Sequence, residues 1–468
     1  MSSPASLTDA SLDYTDLIAA QRAYFLSGAT RPVAWRRAQL EALKALLEDN
    51  RGRFYSALYD DLRRNEVDAD LMDIGHCINE ADYALRHMQS WLKPEHLPMP
   101  LVLEPGRIRV RHDPLGVTLI IGPWNEPLML TFGPLAPALA AGNTAVIKPS
   151  ELSVATSALI AELVPRYLDR QAVAVVEGGV PETTALLEQQ WDFIFFTGSP
   201  RVGKIIHQAA AKHLTPTVLE LGGKNPTIVH SSADIKAAAR RIANMRFANG
   251  GQICTAPDHV LVWPEIKDEL VEHLVQAVRD FYGEEPQQSP DYGRIVNRAS
   301  AERLAGLLGS GRAVVGGRVD LDDLYVAPTV LVDVGWDSPI MQEEVFGPIL
   351  PVLEIDSVRG VIDWVNGHPA PLALYVFAND QDVTEQIIAA TPSGNVDVND
   401  CTLHPLVSDI PFGGVGNSGM GKYHGRWGFE AFTNTRGVLY HSPRVDPELR
   451  YPPYANHRLA WDLARKLA

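Results

Sequence analysis

Cysteine is scarce in this chain: its 468 residues contain only Cys77, Cys254 and Cys401. An odd and sparse set argues against a disulfide framework and favours a reducing compartment, so a cytoplasmic location is expected. Long apolar runs are missing as well, since no stretch of about 18 apolar residues exists to span a membrane. Residues 1–17 carry neither a basic nor an apolar segment. We therefore expect no signal peptide and no membrane anchor.

Positive charge is also in short supply, because 41 Lys and Arg face 57 Asp and Glu, for a formal net charge of −16. A general electrostatic attraction to nucleic acid or to an anionic membrane is therefore not expected. A locally positive site could still bind an acidic substrate. The 46% hydrophobic and 21% charged composition is that of an ordinary globular protein, and the length favours two or three domains.

The pattern of the chain changes near residue 114. Before it, residues 34–47 have the apolar period of a helix, residues 94–105 form a proline-rich connection, and residues 108–111 alternate like a strand. After it, short β-rich runs alternate with helical stretches, which predicts βαβ units and a buried parallel sheet. These runs are 117–121, 144–147, 173–176 and 193–196. Such a sheet binds nucleotides beyond the carboxyl ends of its strands.

A second α/β pattern begins after residues 222–223. It has strand-like segments at 227–229 and 260–262 and helical segments at 233–247 and 266–282. Residues 436–440 form a late strand. The sequence therefore predicts an α/β protein with a second α/β domain.

Three side chains could carry catalytic chemistry. Cys254 follows two glycines, and a thiolate is the strongest nucleophile among side chains, although most cysteines are simply small buried groups. Glu220 ends an apolar run before a glycine turn, where it could be a general base or an ordinary surface carboxylate. Asn125 ends the first strong strand and could donate to an oxyanion, or could serve the turn alone.

Two further segments could bind a nucleotide. The run from Phe196 through Gly198, Ser199 and Gly203 ends a strand and opens a helix, which suits a pyrophosphate but matches neither the dinucleotide fingerprint nor a P-loop. Lys148 and Glu151 follow another strand and could hold ribose hydroxyls, or could be solvated surface charges. Each of these signals is weak when it is taken alone.

Taken together, seven motifs resemble the aldehyde dehydrogenase superfamily, in its order and over about residues 30 to 450. They are 123–125 (PWN), 142–151 (GNTAVIKPSE), 196–199 (FTGS), 219–226 (LELGGKNP), 251–254 (GQIC), 344–348 (EVFGP) and 411–421 (PFGGVGNSGMG). Segments 179–184, 211–216, 398–400 and 423–425 resemble the class 3 branch, which includes the fatty aldehyde dehydrogenases. That branch acts on medium-chain, fatty and aromatic aldehydes, and its members are commonly dimers.

The resemblance implies a role for each matched residue. Cys254 would form a thiohemiacetal and then a thioester, Asn125 would stabilise the oxyanion, and Glu220 would activate the hydrolytic water. NAD, NADP or both would be the cofactor, and no metal is expected. Its binding residues would be Lys148 and Glu151 at the adenosine ribose, Ser199 with Gly198 and Gly203 at the pyrophosphate, Glu344 at the nicotinamide ribose, and Phe346 and Trp124 at the nicotinamide.

The resemblance also divides the chain. Residues 1–98 and 114–220 would form a Rossmann-like NAD(P)-binding domain, and 221–431 a catalytic domain. Residues 99–113 and 432–445 would form a small bridging element that mediates a homodimer. Residues 446–468 are a tail, which could cap the substrate funnel with a short helix or dock elsewhere.

Two questions stay open at this point. Glu126 stands where the family usually has Phe or Tyr in the substrate pocket, so it could favour a polar or cationic aldehyde or could turn into a hydrogen bond. The rival functions are an acylating dehydrogenase that releases acyl-CoA and a protein that kept the fold without the activity. Glu220 argues against the first rival, and the set of Cys254, Glu220 and Asn125 argues against the second.

Overall fold

The computed structural model describes residues 12–100, 103–446 and 448–467. The helices are α1 Thr15–Leu26, α2 Val33–Asp49, α3 Arg51–Leu62, α4 Glu66–Ala69, α5 Gly75–Trp91, α6 Met129–Ala141, α7 Val154–Tyr167, α8 Val180–Leu187, α9 Pro200–Ala211, α10 Ile235–Phe247, α11 Lys267–Tyr282, α12 Arg298–Leu307, α13 Pro339–Gln342, α14 Val358–Asn366, α15 Gln381–Ala390, α16 Gly425–Ala431 and α17 Arg458–Leu467. The strands are β1 Glu95–Leu97, β2 Gly106–Pro114, β3 Val117–Ile121, β4 Thr144–Lys148, β5 Val173–Val175, β6 Phe193–Gly198, β7 Thr217–Leu221, β8 Pro226–Val229, β9 His259–Val262, β10 Arg312–Val315, β11 Val319–Asp320, β12 Tyr325–Val326, β13 Thr329–Val332, β14 Ile349–Glu354, β15 Ala373–Phe377, β16 Asn395–Val398, β17 Gly419–Met420 and β18 Thr433–His441. The predicted α/β class is confirmed.

The first sheet has six strands in the order β17-β7-β6-β3-β4-β5. All are parallel except β17, which pairs antiparallel with β7. All five residues of β3 are buried, because helices cover both faces. Ile120 belongs to the core shared with α2, α5, α6 and α7, whereas Leu119 and Ile121 belong to the core on the opposite face, with Ile18 of α1 and Ile206 of α9.

The strand order of this sheet reverses at β3. The chain runs from β3 through β4 to β5 on one side and then returns to place β6 on the other side of β3. In an open parallel sheet a ligand binds beyond the carboxyl ends of the strands at such a switch point. The segments that follow β3 and β6 are therefore where a dinucleotide is expected.

The second sheet has seven strands in the order β10-β13-β14-β9-β8-β15-β16, and only β10 runs antiparallel to its neighbour. Its core includes Ile228, Val260 and Leu350 from the strands, with Ile242 of α10 and Leu274 of α11 packed against them. The segment that carries Cys254 connects α10 to β9. This sheet therefore fixes the nucleophile, while the first sheet fixes Glu220 and the expected cofactor segments.

A third sheet, β1-β2-β18, is antiparallel throughout. Residues 94–105 were predicted to be only a connection, but Glu95 to Leu97 pair with β2, so the sheet begins before the expected boundary at 98. The three residues of β1 are all exposed, so no apolar alternation marks them. A second difference is that β17, from the segment assigned to the catalytic domain, joins the first sheet through β7.

The C-terminal segment ends in helix α17, which contacts the turn at Tyr454–His457. Leu459 on this helix is 88% exposed, while the side chains of Leu463 and Leu467 lie outside the described part. Its capping role stays a prediction. Across the described ranges, no helix combines the length and the apolar character needed to cross a bilayer.

Candidate active site

A cavity of about 400 Å³ lies between the first and second sheets. It brings together eight of the eleven residues that the sequence singled out: Trp124, Asn125, Gly198, Ser199, Glu220, Cys254, Glu344 and Phe346. Gly198 ends β6 and Glu220 lies near the end of β7, while the others follow β3, β6 or α10 or precede β14, so the eight are distant in sequence. Lys148, Glu151 and Gly203 do not line this cavity.

The loop before Cys254 has an unusual backbone. Asn249, Gly250 and Gly251 have φ of 50°, 61° and 73°, three successive residues in the left-handed region that glycine tolerates best. A Cβ on Gly251 would lie 2.3 Å from the Gly347 carbonyl oxygen, whereas one on Gly250 would meet nothing closer than 3.5 Å. The loop therefore needs glycine at 251 because another part of the backbone occupies the space.

Side-chain amides hold this loop in place. The Gln252 amide donates to the carbonyls of Asn249 and Arg294, both at 2.9 Å, and its oxygen accepts from the Val296 N–H at 2.9 Å. The Asn225 amide donates to the Cys254 carbonyl at 2.8 Å. With all these groups satisfied, the loop holds Cys254 in one position.

Asn125 is 4% exposed, and a network of buried polar groups orients it. Its amide donates to the Gln252 carbonyl at 3.0 Å, and the second contact of that nitrogen, with Glu126, is long at 3.4 Å. Its own carbonyl accepts from Arg64, which forms a fully buried ion pair with Asp73. A side-chain amide has two N–H groups, and the one in the long contact with Glu126 is the one that a developing oxyanion would engage.

The Cys254 thiol is poorly disposed to ionise by itself. Burial raises its pKa well above the ordinary value, and the nearby carboxyls of Glu126, Glu344 and Glu220 raise the pKa further. At neutral pH the free thiol is therefore protonated, and a nucleophilic attack requires a base close by.

Glu220 could be that base. It is 2% exposed, and among the residues that the structure describes neither carboxylate oxygen accepts a hydrogen bond of good geometry, although the backbone N–H of Gly414 lies near the carboxylate. Burial raises the pKa of Glu220 well above its usual range, and the nearby Lys422 opposes the shift. A carboxyl group with a raised pKa and unused lone pairs suits proton transfer near neutral pH.

Glu126 is also buried, at 5% exposure, and does not line the cavity with Cys254. Burial raises its pKa to about 8, with a further increase from Asp73 and a decrease from Arg64. Its carboxyl group is therefore mostly neutral at pH 7. A neutral Glu126 carboxyl group can form hydrogen bonds with its neighbours but places no negative charge beside them.

Ser199, which the sequence predicts to contact a pyrophosphate, lies at the start of α9. Ser199 caps α9 by accepting from the Val202 N–H at 3.4 Å, and Pro200 opens the helix. Such a helix start presents free N–H groups to an anion. Gly203 serves packing, because a Cβ there would lie 2.6 Å from a methyl carbon of Leu221 on β7.

Lys148 and Glu151 lie together at the end of β4. The Lys148 ammonium group donates to the Glu151 carboxylate at 3.2 Å and to the Pro149 carbonyl at 2.9 Å. Lys148 is 2% exposed, but the Glu151 side chain is 46% exposed. The ammonium group of Lys148 is therefore buried against Glu151, whose exposed carboxylate lies outside the cavity that holds Cys254.

The far wall of the cavity carries Glu344 and Phe346. Burial is the main cause that raises the pKa of Glu344 to about 8, and the negative charge of Asp258 raises the pKa as well. A Cβ on Gly222 would lie 2.0 Å from a Glu344 carboxylate oxygen, so glycine is required for this close approach. Phe346 meets Trp124 edge to face, with ring centroids 5.5 Å apart. The carboxyl and the two rings fit a ribose and a flat heterocycle.

An ion pair that the sequence did not reveal supports this wall. Asp258 pairs with Lys224 and accepts from the Val345 N–H at 2.8 Å. Lys224 also donates to the carbonyls of Ile340 at 2.7 Å and Glu343 at 3.1 Å. The pair therefore holds the segment that presents Glu344. The lining residues Ser300 and Arg303 were missed as well, and no motif marks either one.

Comparison with known proteins agrees with this arrangement. The sequence matches the model of the aldehyde dehydrogenase family over residues 6–438. The chain belongs to the aldehyde dehydrogenase family. It is 46% identical over 448 residues to aldehyde dehydrogenase family 3 member B1 of Bos taurus, covering 95% of this chain and 96% of the relative. It is 45% identical over 431 residues to the dimeric NADP-preferring aldehyde dehydrogenase of Mus musculus, covering 92% and 95%.

Solved structures give the same result. The substrate-bound Staphylococcus aureus enzyme AldH superposes with a TM-score of 0.93 at 40% identity, covering 96% of this chain and 98% of that one. An NAD-dependent aldehyde dehydrogenase from Sinorhizobium meliloti superposes with a TM-score of 0.84 at 29% identity, covering 92% and 87%. This aldehyde dehydrogenase is thus an NAD(P)-dependent oxidoreductase that oxidises an aldehyde to the acid, and its resemblance to the class 3 branch is confirmed.

Proposed function

We propose that Cys254, Asn125 and Glu220 carry out the oxidation. Glu220 removes the thiol proton, and Cys254 Sγ bonds to the aldehyde carbon to give a thiohemiacetal. The carbonyl oxygen, now negative, receives hydrogen bonds from the Asn125 amide and from the Cys254 N–H. Glu344 and Phe346 would hold the nicotinamide end of the cofactor, which would supply the acceptor for the hydride that leaves this carbon, and a thioester on Cys254 remains.

Glu220 first gives the thiol proton up to solvent and then takes a proton from a water molecule, whose oxygen attacks the thioester carbon. This second proton later passes from Glu220 to the departing sulfur. The C–S bond breaks, the acid leaves, and the thiol of Cys254 is restored. The observation that carries this proposal is the Glu220 carboxylate, which is buried, accepts no hydrogen bond of good geometry among the described residues and is part of the same cavity wall as Cys254. A released acyl-CoA would need no such base.

The proposal is tested with the variant Cys254→Ala and with an assay of the wild type from which coenzyme A is left out. Cys254→Ala should abolish NADH formation while it leaves the affinity for the cofactor almost unchanged, because the thiol contributes to chemistry and not to cofactor binding. The wild type should turn over without coenzyme A. Turnover in Cys254→Ala would refute the nucleophile, and a wild type that requires coenzyme A would refute hydrolysis.

We propose medium-chain, long-chain or aromatic aldehydes as the substrates, on the strength of the class 3 relatives. The neutral state of Glu126 at pH 7 argues against a preference for cationic aldehydes. A panel of aliphatic, benzylic, cinnamic and amino-aldehydes, assayed with NAD and with NADP, tests both statements. A clear preference for amino-aldehydes at pH 7 would contradict them.

We also propose a homodimer formed through the three-stranded sheet, whose nine-residue strand β18 pairs on one side only among the residues that the structure describes. An exposed strand edge of that length invites pairing with another chain. Light scattering on the purified enzyme tests the dimer, and a monomer at micromolar concentration would contradict it. A cytoplasmic location stays a prediction.

A further inference from the structure

A second large cavity, of about 700 Å³, lies beside the three-stranded sheet. Five arginines line it: Arg31, Arg36, Arg109, Arg111 and Arg436. None of its lining residues is shared with the cavity that holds Cys254. A cationic cavity of this size is unexpected in a chain with a net charge of −16.

The arginines outnumber their counter-ions. Asp113 pairs with Arg111 at 3.2 Å and with Arg436 at 2.6 Å, so one carboxylate serves two cations. Within the described ranges, Arg31, Arg36 and Arg109 have no carboxylate within 4 Å. The wall of the cavity therefore holds more positive charge than the protein itself neutralises.

Arg36 makes this imbalance costly. It is only 4% exposed, and its guanidinium donates to the carbonyls of Thr30 at 3.2 Å and Ala140 at 3.1 Å. Burial lowers its pKa to about 10, and the neighbouring Arg31 lowers the pKa further. A guanidinium has five N–H donors, so donors remain beyond these two bonds. Removing an unpaired cation from water costs free energy unless a counter-ion approaches it.

Arg109 has an unused donor of its own. Its Nε is buried without a hydrogen-bond partner in the described part of the chain, and its guanidinium lies 5.7 Å from the centre of the Tyr440 ring. The sheet register places Arg436 directly opposite Arg111, two residues along the same face of β2 from Arg109. Like charges placed opposite each other on a sheet repel, which an anion in the cavity would relieve.

We propose that this cavity binds a small phosphate-bearing anion with two or more negative charges. A guanidinium group forms paired hydrogen bonds with phosphate oxygens. Arginine therefore matches the shape of a phosphate better than lysine, whose ammonium group is a point charge. Three unpaired arginines on a concave wall would meet a diphosphate from several directions. The site is separate from the catalytic machinery, so the ligand binds without entering the reaction.

The experiment is calorimetric titration of pyrophosphate into the enzyme saturated with NAD, which fills the cofactor's own pyrophosphate site. Potassium chloride keeps the ionic strength constant. Arg31→Gln and Arg109→Gln each remove a charge-assisted hydrogen bond and should weaken the affinity for pyrophosphate about tenfold or more. Arg359→Gln is the matched control, because this arginine is exposed on α14 and pairs with Asp363. Dehydrogenase activity should be the same in the wild type and in all three variants.

The same titration with ADP shows whether the phosphate groups that bind here belong to a nucleotide or to a free inorganic anion. Tighter binding of ADP than of pyrophosphate would assign the site to a nucleotide, and equal binding would assign it to the inorganic anion. The proposal is overturned if the NAD-saturated wild type binds neither anion, or if both arginine variants bind as the control does. It is also overturned if pyrophosphate does not bind and the variants instead weaken dimer formation, because the arginines would then serve acidic groups of a second copy.

Discussion

Replacing Gly251 by alanine should separate the position of Cys254 from the stability of the fold. The new Cβ would lie 2.3 Å from the Gly347 carbonyl oxygen, about an ångström inside normal contact. The Gly347 oxygen belongs to the backbone and the alanine Cβ has no rotamer that could avoid it, so the loop before Cys254 must move. A displacement of about 1 Å at a reacting group costs roughly 100-fold in rate, and we expect kcat to fall by about that factor.

Gly250→Ala is the matched control. Its φ is also positive, at 61°, but the nearest atom to a new Cβ is 3.5 Å away. Only the backbone strain remains, about 1 kcal/mol, which for a chain of this size shifts Tm by about 1 °C and should leave kcat within a few-fold of the wild type. The assay is steady-state NADH formation together with thermal unfolding of all three proteins. Equal kcat values for the two variants would refute the argument that Gly347 fixes the nucleophile loop.

Three other perturbations test separate parts of the account. Asp258→Asn weakens the anchor of the segment that carries Glu344, so the KM for NAD should rise about tenfold while kcat changes less; an unchanged KM would show that the anchor is dispensable. Glu126→Gln removes a carboxyl group with a pKa of about 8. The wild-type anion forms only as the pH rises through 8 and then disfavours the thiolate, so the variant should be alkylated faster by iodoacetamide at pH 9 but not at pH 6; a difference at pH 6 alone would contradict this. Deleting residues 456–468 should alter the ratio of kcat/KM between long and short aldehydes if the tail caps the funnel, and an unaltered ratio would exclude that role.

The motifs located most of the catalytic wall because they lie at the ends of strands. Asn125 and Ser199 follow β3 and β6, Glu220 is the penultimate residue of β7, and parallel strands bring their carboxyl ends to one edge of the sheet. For the same reason, the alternation of strands and helices in the sequence predicts a nucleotide site at this edge. The switch point at β3 is different, because it depends on which strands are neighbours, and the sequence does not state that order.

The supporting groups could not be predicted in the same way. Arg64 reaches Asn125 across 61 residues, and Asp258 reaches Val345 across 87. Neither Arg64 nor Asp258 stands in a motif with a local reason for its chemistry, so only the folded packing reveals the contact. Strand β1 was missed for a different reason. Its three residues lie between prolines and are all exposed, so they show no alternation of apolar and polar residues, and only their pairing with β2 makes them a strand.

The central claim is that an acyl group is carried on Cys254 and removed through Glu220. Its most direct test is Glu220→Gln mixed with NAD and a saturating aromatic aldehyde, stopped within one turnover and measured by intact-protein and peptide mass spectrometry. Because Glu220 also takes the thiol proton in the proposed first step, the account predicts slower NADH formation than in the wild type. Each NADH is then matched by one acyl group, held as a thioester on the peptide that contains Cys254, and acid release is slowed further. Rapid acid release with no accumulated thioester, or an acyl group on Cys77 or Cys401, would contradict it.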